Sequence, residues 1–142
     1  GHATTEFYPL SLHAALPTYP FKTIDDHGGH STGDEVLKCV AYALHAGPDV
    51  RAYRLGGEEF VLLLRGADAA QEAELRRLAI PSIVAQRVSG LTWPVTASMG
   101  FANLTGNETF QNLYERADKL LYKAKSDGRN RSANENTPVQ AM

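Results

Sequence analysis

An α+β fold, a mostly antiparallel sheet with helices packed against it, is what this sequence predicts, and three observations predict it. Apolar residues recur at helical spacing in three stretches; they form short runs bounded by Gly or Pro in four others; and a Gly-Gly pair separates two of those runs, where a tight hairpin needs positive φ. The implied order is strand, helix, strand, strand, helix, strand, helix.

Leu10 to Leu16 alternates imperfectly and stops at Pro17, which suits a short first strand followed by a turn through Pro17 and Pro20. From Asp34 the spacing becomes helical, with Val36, Leu37, Val40, Ala41 and Leu44 on one face. Ser31 or Thr32 is available as N-cap, and Gly47-Pro48 closes the segment. Val50 to Leu55 and Phe60 to Leu64 form two strands joined across Gly56-Gly57. Ala69 to Val88 is rich in Ala, Leu, Glu and Arg and predicts a helix. Pro81 must kink or split it, because proline lacks the amide proton and its ring clashes with the preceding turn. Val95 to Met99 is a further strand. Phe110, Leu113, Tyr114, Ala117, Leu120, Leu121 and Ala124 make the stripe of a last amphipathic helix, ended by Gly128. The polar tail from Ser132 to Met142 is expected to be poorly ordered.

At 142 residues, 43% apolar and 21% charged, the chain suits one globular domain. Its expected bounds are 10–131. Residues 1–9 are set aside, since Gly1-His2 resembles a remnant of tag cleavage. Fourteen basic and sixteen acidic side chains, a net charge of −2, argue against a broad surface for nucleic acid polymers or anionic membrane. No run approaches the roughly 18 to 20 apolar residues of a membrane span. Cys39 has no partner for a disulfide, so a reducing cytoplasm is the simplest compartment, and the thiol, set among Leu37, Val40 and Ala41, is expected in the core.

Three places carry possible chemistry. Glu58 and Glu59 directly follow the glycine hairpin, where absent side chains leave room for phosphates, and hard cations such as magnesium bind through one or two carboxylates plus substrate phosphates. Solvated acids beside an ordinary turn would look the same. The stretch Phe21 to Asp34 is polar and glycine-rich and leads into a helix, so its amides suit phosphate and Asp25 and Asp34 suit the N–H edge of a base. It also suits a plain loop with an acid at a helix start. Lys119, Lys123, Lys125, Arg129 and Arg131 cluster around the end of the last helix, where cations are stabilising even without a ligand.

Taken in order, these segments resemble the GGDEF family. FKTIDDHGGHSTGDEVL (21–37) is similar to its FKxINDxxGHxxGDxxL block, RLGGEEF (54–60) to its signature hairpin, VTASMGFA (95–102) to its VTxSxGxA strand, and ADKLLYKAKSDGRNR (117–131) to its ADxALYxAKxxGRNR ending. The resemblance implies a ferredoxin-like, nucleotidyl-cyclase-like fold in a bacterial, cytoplasmic domain that makes no membrane contact itself and whose parent protein adds a sensory or receiver domain and, in some cases, a membrane anchor. It implies a diguanylate cyclase: two GTP-loaded copies face each other as a homodimer, and each 3′-hydroxyl attacks the partner's α-phosphate to give cyclic di-GMP and pyrophosphate. Two magnesium ions, or manganese, neutralise charge. By carry-over, Glu58 ligates metal and activates the hydroxyl, and Glu59 is the second carboxylate at the metals. Gly56 and Gly57 let the nucleotide lie against the hairpin, Asp34 accepts from guanine, and Lys22, Lys125 and Arg129 hold the triphosphate. Phe21, Asp25 and His30 complete the substrate-binding set.

The sequence departs from the family pattern at several points. DxDxFK is here Pro17-Thr18-Tyr19-Pro20-Phe21-Lys22, so the first metal aspartate is replaced by Pro17 and activity is expected to be reduced. The guanine-reading asparagine is Asp25, which accepts but cannot donate, so another cyclic nucleotide product is a weaker possibility. The inhibitory RxxD has no arginine, leaving Asp49 as its sole remnant, and the LTGLPNRR-like block before the first strand is missing. The chain is therefore expected to be an altered or excised piece of a larger protein. The alternative function is a degenerate module that binds GTP or cyclic di-GMP as a regulatory receptor without turnover.

Overall fold

The computed structural model describes residues 5–14, 30–45, 47, 50–66, 68–91 and 94–137. Along the chain these form β1 (Thr5–Ala14), α1 (His30–Leu44), β2 (Val50–Gly56), β3 (Glu59–Arg65), α2 (Ala69–Arg87), β4 (Val95–Gly100), β5 (Ala102–Asn103), α3 (Phe110–Ser126) and β6 (Ser132–Ala133). The sheet runs β2-β3-β1-β4-β6, with β5 also on β1. Among the described residues every pairing is antiparallel except β4 with β6, so the α+β, mostly antiparallel expectation holds.

Strand alternation divides the core in two. Phe60, Leu62 and Leu64 of β3 point to one face, where they meet Val36, Val40 and Leu44 of α1 and Ala73, Ile80 and Val84 of α2. Val61 and Leu63 point to the other, against Leu113, Ala117, Tyr114 and Leu120 of α3. Covered on both faces, β4 is buried throughout. Val95, Ala97 and Met99 join the first cluster, while Thr96, Ser98 and Gly100 lie under α3. A Cβ on Gly100 would stand 2.1 Å from the Leu121 nitrogen, so only glycine admits the helix this closely.

Several expectations are corrected. The first strand starts at Thr5, five residues before Leu10, so part of the segment set aside as lying outside the domain is in the sheet. Pro9 is tolerated because it falls between the residues paired with β5 (Glu6, Phe7) and those paired with β4 (from Leu10), where a missing amide proton interrupts least. Ala15 and Leu16, also expected in that strand, lie outside the described residues. Helix α1 already includes His30, which puts Ser31 and Thr32 in its first turn rather than at the cap. Pro81 does not split α2, which continues to Arg87 because Ala73, Arg77, Ile80 and Val84 anchor it to the sheet on both sides of the proline. Phe110 opens α3 but is 59% exposed, outside the buried stripe. The start of the tail is ordered: Ser132 and Ala133 pair with Met99 and Gly100 of β4.

Other local readings match. Gly128, φ 128°, follows the C-cap Asp127 of α3. Cys39 is buried, with its Sγ 3.7 Å from the Ile83 carbonyl, and burial pushes its thiol up against the opposing charge of Arg87. No helix among the described residues is long and apolar enough to cross a membrane.

Candidate functional site

The Gly-Gly pair makes a tight hairpin. β2 ends at Gly56 (φ 154°), Gly57 turns the chain with φ 52°, Glu58 occupies the turn and Glu59 opens β3. A single positive φ at the first central position is the glycine requirement of a type II′ hairpin turn. The Arg54 Nε–H donates to the Gly57 carbonyl at 2.9 Å and braces the tip. A Cβ added at Gly56 or Gly57 meets nothing within 4 Å, so the strip beside the two carboxylates is open.

The sheet register then decides what faces the hairpin. Glu59 pairs with Ser11, and Ser11 pairs with Ser98, so β3, β1 and β4 share one transverse row at this level. Two strand spacings, about 10 Å, separate the backbone of Glu59 from that of Ser98. Both side chains lie on the α3 face, where the charges of Asp118 and Glu59, behind the larger effect of burial, push the Tyr114 hydroxyl up. At the end of the row the Asn130 amide donates to Ser98 Oγ at 3.2 Å. The segment after α3 is thereby fixed level with the hairpin.

That segment reverses sharply through three consecutive positive φ angles, Gly128 (128°), Arg129 (64°) and Asn130 (48°). An arginine held there costs about 1–2 kcal/mol, while asparagine tolerates the conformation better, so the turn at Arg129 must be pinned from outside. Arg77 of α2, 7% exposed, supplies the pin. Its Nη1 donates to the Ala97 carbonyl (3.3 Å) and to Asn130 Oδ1 (3.2 Å), and its Nε donates to Glu74 Oε1 (2.8 Å). Ser132 Oγ donates to the other Glu74 oxygen at 2.5 Å. Burial raises the Glu74 carboxyl, but the hydrogen bonds from Arg77 and Ser132 and the Arg77 charge outweigh it and hold the group below its ordinary value.

On the opposite face, α1 and the hairpin strands line an open groove of about 660 Å³ floored by Leu37, Ala41, Ala52 and Phe60 and rimmed by Lys38, Tyr42, His45 and Arg54. Asp34, exposed on α1, lies one turn before Leu37.

The register therefore sets Gly56, Gly57, Glu58 and Glu59 at the same level of the sheet as the segment bearing Arg129, two strands away, and Lys125 stands in the last turn of α3. Asp34 and His30 stand on α1, across the sheet. Phe21, Lys22, Asp25, Pro17 and Asp49 lie outside the described residues. The basic cluster is narrowed: Lys123 pairs with Asp127 at 3.0 Å, and Arg131 Nε donates to the Arg129 carbonyl at 3.0 Å. Sequence reasoning gave no role to Arg54, Arg77, Glu74, Ser98 or Asn130. Arg54, Ser98 and Asn130 lie inside family-like motifs, whereas Glu74 and Arg77 sit in a helix rich in charge with nothing to mark Arg77 as buried.

Comparison with known proteins points to one family. Residues 14–131 match the family described as diguanylate cyclase, GGDEF domain. The chain is 42% identical over 131 residues to the diguanylate cyclase DgcM of Escherichia coli K12, covering 91% of this chain and 31% of that protein. It is 34% identical over 138 residues to DosC of the same strain, covering 92% and 29%. It thus spans about a third of the length of these relatives. Among solved structures it resembles the GGDEF domain of DgcB from Caulobacter crescentus in complex with c-di-GMP (TM-score 0.72, 32% identity, 94% of this chain and 80% of that one). It also resembles the active GGEEF domain of a diguanylate cyclase from Vibrio cholerae (TM-score 0.65, 26% identity, 94% and 85%).

Proposed function

The chain belongs to the GGDEF family of diguanylate cyclase domains, and from that premise we propose that it condenses two molecules of GTP to cyclic di-GMP and pyrophosphate. The observation that carries this reading is the shared row: Glu58-Glu59 on the hairpin, level with the pinned Arg129 turn, with an open strip beside the glycines. Carboxylates for cations on one side and a guanidinium for phosphate on the other match the two ends of a metal-bound triphosphate.

Two magnesium ions, or manganese in their place, fit the donor chemistry in part. Among the described residues no three His, Cys, Asp or Glu side chains gather, but magnesium commonly takes only one or two protein carboxylates and completes its shell from phosphates and water. Glu58 and Glu59 would hold it, with the position of the first family aspartate taken by Pro17. When bound, the metal neutralises charge on the phosphates and on the attacking oxygen.

The chain's own residues account for the rest. Glu58 accepts the proton of the 3′-hydroxyl as its oxygen bonds to the α-phosphorus of the partner's nucleotide and pyrophosphate departs. Two such transfers close the cyclic product. Lys22, Lys125 and Arg129 hold the triphosphate in line, where positioning is most of the catalysis. Asp34 and Asp25 accept from the guanine N–H edge, while Phe21 and His30 complete the base and ribose side. Because each domain holds one nucleotide, turnover needs a homodimer, brought together in the longer parent protein by a sensory or receiver domain in the bacterial cytoplasm, whether or not that parent is anchored in a membrane.

Incubation of the protein with GTP and magnesium, followed by chromatography, tests this. Cyclic di-GMP must accumulate, and Glu58→Gln must lower its formation by at least about 100-fold. Pro17 favours a second reading, a receptor that holds GTP or cyclic di-GMP without turnover; tight binding with no product at high protein concentration would establish it instead.

A further inference from the structure

We propose that Arg77, together with Glu74 and Asn130, is a positioning device for the nucleotide: it locks the turn after α3 so that Arg129 meets the triphosphate. The inference rests on the assignment of Arg129 as a phosphate ligand and goes beyond it by naming what holds that residue in place. Arg129 occupies left-handed backbone that most L side chains avoid, followed by Asn130, of a type that tolerates it. Such a conformation persists only where surrounding contacts over-determine it, and here three elements do so. The Arg129 amide donates to the Ala124 carbonyl at 3.0 Å, closing the end of α3. The Asn130 amide donates to Ser98 Oγ on β4. The Asn130 side chain accepts from Arg77, which is buried, also bonded to the Ala97 carbonyl, and oriented by Glu74.

The chemistry of Arg77 suits this work. A planar guanidinium makes several fixed hydrogen bonds at once, so it can tie α2, β4 and the turn into one rigid corner. Glu74 balances its charge in the interior, and Ser132 of β6 holds Glu74 from the far side. No member of the network needs to touch nucleotide. Its effect passes through the backbone of Asn130 to its neighbour Arg129.

The test is a double-mutant cycle read on binding of GTP with magnesium, by calorimetry on the full chain. Asn130→Gly keeps the left-handed backbone accessible but removes the acceptor for Arg77. It should weaken GTP by about 10-fold, the scale of one lost hydrogen bond to a charged group. In the Arg129→Ala background the same change should have no further effect, because the residue it positions is gone. Asn130→Asp, which restores the acceptor, should recover binding to within about 3-fold of wild type, since contacting pairs couple while independent ones do not. If circular dichroism shows Asn130→Gly to be unfolded, Ser98→Ala takes its place in the cycle. Losses that multiply in the double variant overturn the proposal and leave the network merely structural, with the nucleotide reading intact. Wild-type protein that binds no GTP overturns that reading, and the proposal with it.

Discussion

Gly100→Ala tests the packing that holds the site together. The added Cβ would stand 2.1 Å from the Leu121 nitrogen, 2.5 Å from the Ala117 oxygen and 2.6 Å from the Leu120 carbonyl carbon. All three atoms are backbone of α3, so no rotamer change relieves the contact and the helix must retreat by about 1.3 Å to reach ordinary separation at 3.4 Å. A gap of that size forfeits about a quarter to a half or more of the dispersion contact along the Leu113, Ala117, Leu121 and Ala124 stripe. Overpacking costs about 1–3 kcal/mol, more where nothing can yield, and the upper end applies here. At about 4 °C per kcal/mol for a chain of this size, the melting temperature should fall by about 12 °C. Because α3 also carries Lys125 and leads into Arg129, GTP binding should weaken in the protein that remains folded. Thermal melts by circular dichroism and GTP titration measure both. A variant that melts within about 2 °C of wild type would refute the close-approach argument.

The remaining predictions concern caps, charge and catalysis. Thr109 caps α3, its hydroxyl accepting from the Asn112 amide at 3.1 Å, so Thr109→Ala should cost about 1 kcal/mol in chemical denaturation. An unchanged midpoint would count against the cap. Arg116 donates to both Glu108 oxygens, at 2.7 and 2.6 Å, and these bonds, against a smaller effect of burial, hold the Glu108 carboxyl down from 4.5 to about 2. The depressed value means that its contribution to stability is complete above about pH 4.5 and is lost as pH falls towards 2. The melting temperature should therefore drop through that window in wild type and drop less in Glu108→Gln; equal slopes would exclude the pair as the cause. Glu58→Gln should lower cyclic di-GMP formation by about 10²–10⁴-fold while GTP is still bound, the range of a lost general base. Specific activity should rise steeply with protein concentration, since two copies meet at one reaction, and constant specific activity on dilution would rule out the homodimer requirement.

Much of the fold was legible because it depends on local pattern. The continuous apolar run of Phe60 to Leu64 and the period-3.6 stripe of Leu113 to Ala124 mark surfaces that must be buried, and Gly56-Gly57 admits few geometries other than a hairpin. The family, too, was legible, because four motifs in order specify far more than any one of them. Element edges were not, since they depend on pairing partners distant in the chain: Thr5 to Pro9 becomes strand only because β3 and β5 offer it hydrogen bonds, Ser132 and Ala133 only because β4 does, and Pro81 stays helical only because α2 is held to the sheet around it. The functional site divides in the same way. The residue types proposed to bind metal and phosphate, Glu58, Glu59, Lys125 and Arg129, are written in the sequence. That the hairpin and the Arg129 turn share one level of the sheet was decided by the register of Glu59, Ser11 and Ser98 and by a buried arginine on another helix. The pairing of β1 with β3 and β4 and the burial of a charged side chain such as Arg77 arise from contacts between residues far apart in the chain, and no local pattern in a single sequence carries them.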